Sequence, residues 1–199
     1  KDFKQLDYVL DEFAESMAFK KGGDYSIELA IQSKRIATCE FDSGLQVSGV
    51  FIDLIKKNNH GIYLKTQGPT ALSFNNQEIK NHGTQHHREG FGAPIGVITN
   101  IRDLNSLQNR LNEKVEILYD TGIFVSGVLF DIVRDNQNNI ILLSFKDCLV
   151  TLKDLDQQNI FFDPSWGVFD LLVGSRVTSA YPGSADRGSF PLEKNHLRS

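Results

Sequence analysis

Near the start of the chain, hydrophobic positions recur at steps of three and four. Phe3, Leu6, Val9, Leu10, Phe13 and Met17 fall on one face of DFKQLDYVLDEFAESMAF, and acidic residues occupy the other. This spacing predicts an amphipathic helix over residues 2–19. Lys20-Lys21-Gly22-Gly23 supplies the stop, with cations in the last turn and glycine beyond. A short helix from Ser26 to Lys34 is expected next. From Ile36 the pattern changes to that of strands: Ile36–Phe41, then the tight turn Asp42-Ser43-Gly44, then a long strand Leu45–Ile55. The turn is expected to have Asp bonding its own backbone and Gly at positive φ. The long strand is apolar on both faces, with Leu45, Val47, Phe51 and Ile55 on one and Val50, Ile52 and Leu54 on the other. Gly49 sits near its middle, which predicts a bend that lets one strand serve two sheets of a small barrel. Asn58-Asn59-His60-Gly61 reads as the next turn, followed by strands Ile62–Thr66 and Ala71–Phe74.

The pattern then returns at an offset of 78 residues: FDSGLQVSGVFIDLIKKNNHGIYL (41–64) aligns without a gap on YDTGIFVSGVLFDIVRDNQNNIIL (119–142). Ten of these 24 positions are identical, among them Asp42/Asp120, Gly44/Gly122, Ser48/Ser126, Gly49/Gly127, Asp53/Asp131, Ile62/Ile140 and Leu64/Leu142. The phase continues through Phe91/Phe169, Ile95/Val173 and Gly96/Gly174. A duplicated β-rich module is the reading. The second copy predicts strands Val115–Tyr119, Ile123–Val133, Ile140–Phe145 and Leu149–Leu152. Asp103–Asn112 looks like a short capped connecting helix. The expected fold is mainly β: two tandem duplicated small SH3-like β-barrel units, with an N-terminal amphipathic helix and a short connecting helix. The corresponding division is 1–35 helical segment, 36–101 first repeat, 102–114 connector, 115–181 second repeat and 182–199 polar tail. One larger barrel or sandwich built from both halves stands as the alternative.

Composition narrows the function classes. Net charge is −4, and Lys and Arg nowhere cluster beyond a pair or two, which gives no electrostatic case for nucleic acid or an anionic membrane. No signal peptide opens the chain and no apolar run reaches about 18 residues, so a cytoplasmic location is expected. Cys39 and Cys148 do not occupy equivalent repeat positions and read as buried small hydrophobes, with a disulfide between them as the alternative. The chain begins at Lys1 without an initiating Met, which suggests a piece of a longer protein.

Candidate chemistry is sparse. His82, His86, His87 and Glu89 lie close together in IKNHGTQHHREGFGAP and are the candidate metal ligands. Their surroundings are Gly-rich and the second repeat has no histidine at the matching span, so a polar loop or a domain contact is the competing reading. Asp53 and Asp131 invite an acid–base role, but a carboxylate at the same place in both repeats more simply accepts structural hydrogen bonds. Ser48 and Ser126 have no repeat-equivalent histidine to activate them. Phe161, Phe162, Trp166 and Phe169 form an aromatic corner suited to a core plug or to stacking a ligand. Gly90-Phe91-Gly92 and Gly183 match no phosphate-loop pattern.

Several stretches carry a family resemblance. LDEFAESMAF, VSGVF, IYLKTQGPTALSF, HGTQHHREGFGAPIG and FFDPSWGVFDLLVGSRVTSAYPGSADR resemble the C-terminal extension of bacterial phenylalanine-4-hydroxylase-type proteins. These are pterin-dependent aromatic amino acid monooxygenases with an extra region after the catalytic domain. The likeness spans most of the chain and implies a non-catalytic accessory role in domain packing, oligomerisation or regulation. It implies the protein's own upstream catalytic domain as partner, with homo-oligomerisation a further expectation, and no nucleic acid or membrane. Iron and tetrahydropterin would belong to that upstream domain, and no cofactor is expected in this stretch. The family's iron site uses a His-x4-His pair and a distant Glu in a mainly helical domain. His82 and His87 share that spacing but lie in a Gly-rich loop with Glu89 two residues on, so the iron ligands are not carried across. A free-standing small-barrel module for a protein or peptide partner, and a small metalloenzyme using the histidine loop, are the rival readings.

Overall fold

A computed structural model describes residues 23–75, 77–79, 90–153, 167–173 and 176–183. The helix expected over 2–19 and most of the polar tail lie outside these residues. The described chain is mainly β, in two antiparallel sheets. It opens with helix α1 (Gly23–Ser33), followed by β1 (Ile36–Phe41), β2 (Leu45–Lys57), β3 (His60–Phe74), β4 (Gln77–Glu78) and β5 (Gly90–Pro94). A 3-10 helix (Leu104–Arg110) connects to β6 (Lys114–Leu118), β7 (Ile123–Arg134), β8 (Ile140–Leu152), β9 (Phe169–Leu172) and β10 (Val177–Pro182). The expected short helix is present as α1, which buries Ile27 and Ala30 and is held to the β2–β3 hairpin where Gly61 N donates to Asp24 Oδ2 (2.8 Å). The expected connecting helix is the 3-10 turn, whose first residues are capped by Asp103 Oδ1 accepting from Asn105 N.

Each pair of short strands expected after the hairpin turn is one continuous, kinked strand, β3 in the first half and β8 in the second. The kink is a bulge. Ser48 pairs with Ala71 and Val50 with Gln67, so Gly68, Pro69 and Thr70 on β3 stand opposite the single residue Gly49 on β2. Gly68 takes φ +74 there, a left-handed conformation natural to glycine. The bulge leans on β2: a Cβ at Gly49 would lie 3.0 Å from Thr70 Oγ1 and 3.3 Å from Pro69 O. Likewise a Cβ at Gly127 would lie 3.0 Å from Lys146 O. The central glycine is therefore required by close backbone approach.

The ladders also correct the gapless alignment. β7 pairs Ser126 with Leu149 and Val128 with Lys146, a bulge one residue shorter than that of β3. The hairpin compensates. Asn58 and Asn59, at φ +54 and +67, close β2–β3 in a two-residue turn, whereas Asp135 to Asn139 close β7–β8 in a longer loop. Between turn and bulge the second half is thus displaced by 79 residues: Leu54 pairs with Leu64, and Ile132 with Leu143. Ile62 corresponds to Ile141 and Leu64 to Leu143, rather than to the identical residues Ile140 and Leu142.

Each sheet is flanked by chain from the other half. The first has the order β10-β1-β2-β3-β4, with β5 also paired to β3. Its strand β10 comes from the end of the second half and pairs with β1 from Ala37↔Pro182 to Phe41↔Val177. The second sheet has the order β6-β7-β8-β9, and the segment following β5 runs along its β6 edge. There Ile98 bridges to Tyr119, Thr99 N donates to Leu118 O and Asp120 N donates to Val97 O (both 2.8 Å). Asp42 N makes the corresponding bond to Arg176 O (2.8 Å). The chain after each half crosses to cover the first strand of the other.

The cores are exchanged in the same sense. Ile62 and Tyr63 of β3 are buried among Val115, Ile117, Val125, Leu129 and Phe169 of the second half. Ile141 and Leu142 of β8, their register equivalents, are buried with Leu172 among Phe41, Val47, Phe51 and Leu64 of the first. Tyr63 is fully buried and passes over β5 at Gly92, where a Cβ would fall well inside contact distance of the phenol ring and hydroxyl. Gly92→Ala should therefore destabilise the chain by about 2 kcal/mol or more through overpacking. In combination with Tyr63→Leu the added cost should shrink markedly. Urea titrations of the two single variants and the double variant would check this, and additive losses would show that Tyr63 and Gly92 do not share the space.

Candidate functional site

The best-defined polar site is the seam where the halves cross. Asp42 and Asp120 stand at the tips of the β1–β2 and β6–β7 turns, with Gly44 and Gly122 behind them at φ +95. The sequence suggested carboxylates closing their own turns. Both instead reach across to the exchanged segment: Arg176 N donates to Asp42 Oδ1 and Val97 N to Asp120 Oδ1 (both 3.1 Å). Arg176 links the two tips, since its Nη2 donates to Asp120 Oδ2 at 2.5 Å. With the guanidinium side chain 55% exposed, this ion pair adds at most about 1 kcal/mol. Its value lies in register: one arginine touches the turn of each half, by backbone on one side and by side chain on the other. Repetition of Asp42 at Asp120 was legible, but Arg176 has no acidic or basic counterpart in the first copy to draw attention to it.

A second cluster is buried. Tyr63, Tyr119 and Cys148 share the second core, and Tyr119 Oη donates to Leu172 O (2.8 Å). Burial pushes both phenols well above their ordinary range, and for Tyr63 the neighbouring Cys148 and Tyr119 add to the effect. Burial likewise raises the Cys148 thiol to about 12. Cys39 is fully buried in the other core and is raised by the same cause, with Glu40 contributing. Both cysteines are free thiols. These groups stay neutral near pH 7 and pack as hydrophobes with a polar tip, so none is an activated nucleophile.

The remaining sequence candidates are dispersed. Ser48 Oγ bonds Thr38 Oγ1 (2.8 Å), and Asp131 Oδ1 accepts from Ile132 N (2.8 Å), while Asp53 is exposed on β2. Ser144 Oγ donates to the buried Asp170 Oδ1 (2.5 Å). At the far hairpin, Asp135 Oδ1 accepts from Gln137 N and Asn139 N (2.8 Å each), and hydrogen bonding led by the Asn139 amide holds this carboxyl below the usual range. An open groove of about 350 Å³ is lined by Asn100, Ile101, Arg110, Lys114 and Glu116. Asn100 there is committed to the backbone of Glu116 and Leu118, and Arg110 to Glu113 and Lys114 O. His82, His86, His87 and Glu89 lie outside the described residues, as do Phe161, Phe162 and Trp166, whereas Phe169 is a buried member of the second core. Among the described residues, no group of three His, Cys, Asp or Glu side chains is placed to hold a metal ion, and no helix is long and apolar enough to cross a membrane.

No protein-family model matches the chain, and no curated protein matches it. The seam makes its own prediction. Asp120→Ala should cost about 0.5–1 kcal/mol by removing the acceptor of the exposed Val97 N–H, and Asp120→Asn should recover most of that. The loss should change little between low and moderate salt, because the backbone bond outweighs the exposed ion pair. Thermal unfolding of the three proteins at two salt concentrations would decide it, and a loss abolished by salt would assign the effect to Arg176 instead.

Proposed function

We propose that this chain is a non-catalytic accessory region of a phenylalanine 4-monooxygenase-like protein, acting in structure, assembly or regulation. On this reading an upstream domain holds iron and tetrahydropterin and hydroxylates phenylalanine to tyrosine. The two halves are duplicated SH3-like small barrels, each closed along its first strand by the segment that follows the other. Support comes first from the long stretches that resemble the extension of that family. The observation that carries the reading is the use made of the residues common to both halves. Asp42 and Asp120 anchor the crossing segments. Gly49 and Gly127 admit the bulges, and Ser48 and Ser126 pair with Ala71 and Leu149 at the bulge edges. Repetition of this kind is what a scaffold needs.

The accessory reading has a direct test. The chain is supplied with ferrous iron, a tetrahydropterin, oxygen and phenylalanine, and tyrosine is measured. No tyrosine is expected. In the intact native polypeptide, removal of residues 36–181 should leave iron and pterin binding in place while lowering thermal stability or changing the assembly state. Tyrosine made by this chain alone, or a native polypeptide that carries no hydroxylase domain, would overturn the proposal.

A further inference from the structure

Only one covalent segment joins the described residues up to Ile95 to those from Val97 onward. Ile95 is buried in the first core, Ile98 packs against the second, and Gly96 lies between them. Among the described residues the other contacts between the two bodies are non-covalent, and include the β10–β1 ladder, the Asp42–Arg176 bond and the exchanged core residues. Gly96 takes φ +136, a region that L side chains rarely adopt. A Cβ there would collide with Asp120 Oδ1, the atom that accepts from Val97 N, and would lie 3.1 Å from Thr121 Cγ2. The connection is therefore one residue long and held at positive φ, at the point where the chain leaves one body for the other.

We propose that Gly96 is the hinge of a domain-swapped dimer, whose partner is a second copy of this chain. With Gly96 extended, residues 97–183 of one chain dock on residues 23–95 of the other, and the converse pair closes the dimer. The surface that accepts the partner is already complementary to it, because it is the surface this chain uses on itself. Tyr63 enters the partner's second core, Leu142 and Leu172 enter the first, and β10 completes β1 across the chains. No new contact is required, so the balance between monomer and dimer rests on effective concentration against the cost of holding the Gly96 connection at positive φ. The swap goes beyond the accessory reading and is independent of it, since it needs no catalytic parent.

Gly96→Val places a β-branched side chain at the hinge and penalises the positive-φ conformation of the closed chain. Light scattering after size-exclusion chromatography should show the dimer fraction of the refolded variant rising about tenfold or more over wild type. Exchange is then read by carbodiimide cross-linking in mixtures of isotopically light and heavy chains. Lys57 Nζ lies beside the Asp120–Gly122 turn, so links from Lys57 to Asp120 should join light to heavy chains in the dimer. A folded variant that stays monomeric, or a dimer whose Lys57 links remain within one chain, would overturn the proposal. Should the variant fail to fold, wild type refolded at about 1 mM serves in its place. Light–heavy links in a dimer fraction support the swap, and monomer alone at every concentration refutes it.

Discussion

A β-strand at the edge of a sheet presents a row of N–H and C=O groups that must be paired, covered or left to water. β1 and β6 are such strands. Each is closed by chain that arrives from the other half, β10 on β1 and the Val97–Asn100 segment on β6. Every interior hydrogen bond of this kind nets only about 1 kcal/mol, but leaving a buried one unmade costs more than forming it gains. The halves are thus held to one another by the same requirement that closes each of them. Pulling them apart would open two edges and expose two cores at once.

The core follows from that crossing. Because each connecting segment passes to the opposite side, β3 and β8 lie between the two interiors and present apolar residues to both. Leu64 and Leu143 face their own cores, while Ile62, Tyr63, Ile141 and Leu142 face the neighbouring one. This explains why β3 and β8 bury apolar residues on both faces, a pattern otherwise expected of strands covered by helices, whereas the second face of β2 is not buried, with Ile52 exposed. The bulges opposite Gly49 and Gly127 supply the bend that lets one strand turn from one core to the next.

Much of this was legible in the residues. The strand pattern placed β1 at Ile36–Phe41 and the start of β2 at Leu45, and the glycines marked turn tips and bends. The bulges were not legible, since Gly68-Pro69-Thr70 and Asp147-Cys148 fall between segments that read as separate strands. Nor was the one-residue displacement between β3 and β8, because a shorter bulge and a longer hairpin cancel in a gapless alignment. The crossing itself left only a faint mark. Asp42 and Asp120 were visible as a repeated pair, but a turn-tip carboxylate has an adequate local explanation, and its distant partners Arg176 and Val97 share no sequence feature. The seam therefore lay in pairings between residues far apart in the chain, which periodicity does not report.

Native-state hydrogen exchange tests the interdependence of the two halves most directly. The amides of Ile95, bonded to Ile62 O in the first half, and of Tyr119, bonded to Ile123 O in the second, serve as the probes. Val125→Ala, which opens space in the second core alone, should remove about 1–3 kcal/mol of protection. If the exchanged strands make one cooperative unit, Ile95 and Tyr119 lose protection by the same amount. Full protection retained at Ile95 while Tyr119 weakens would mean that the halves unfold independently, and the account would be wrong.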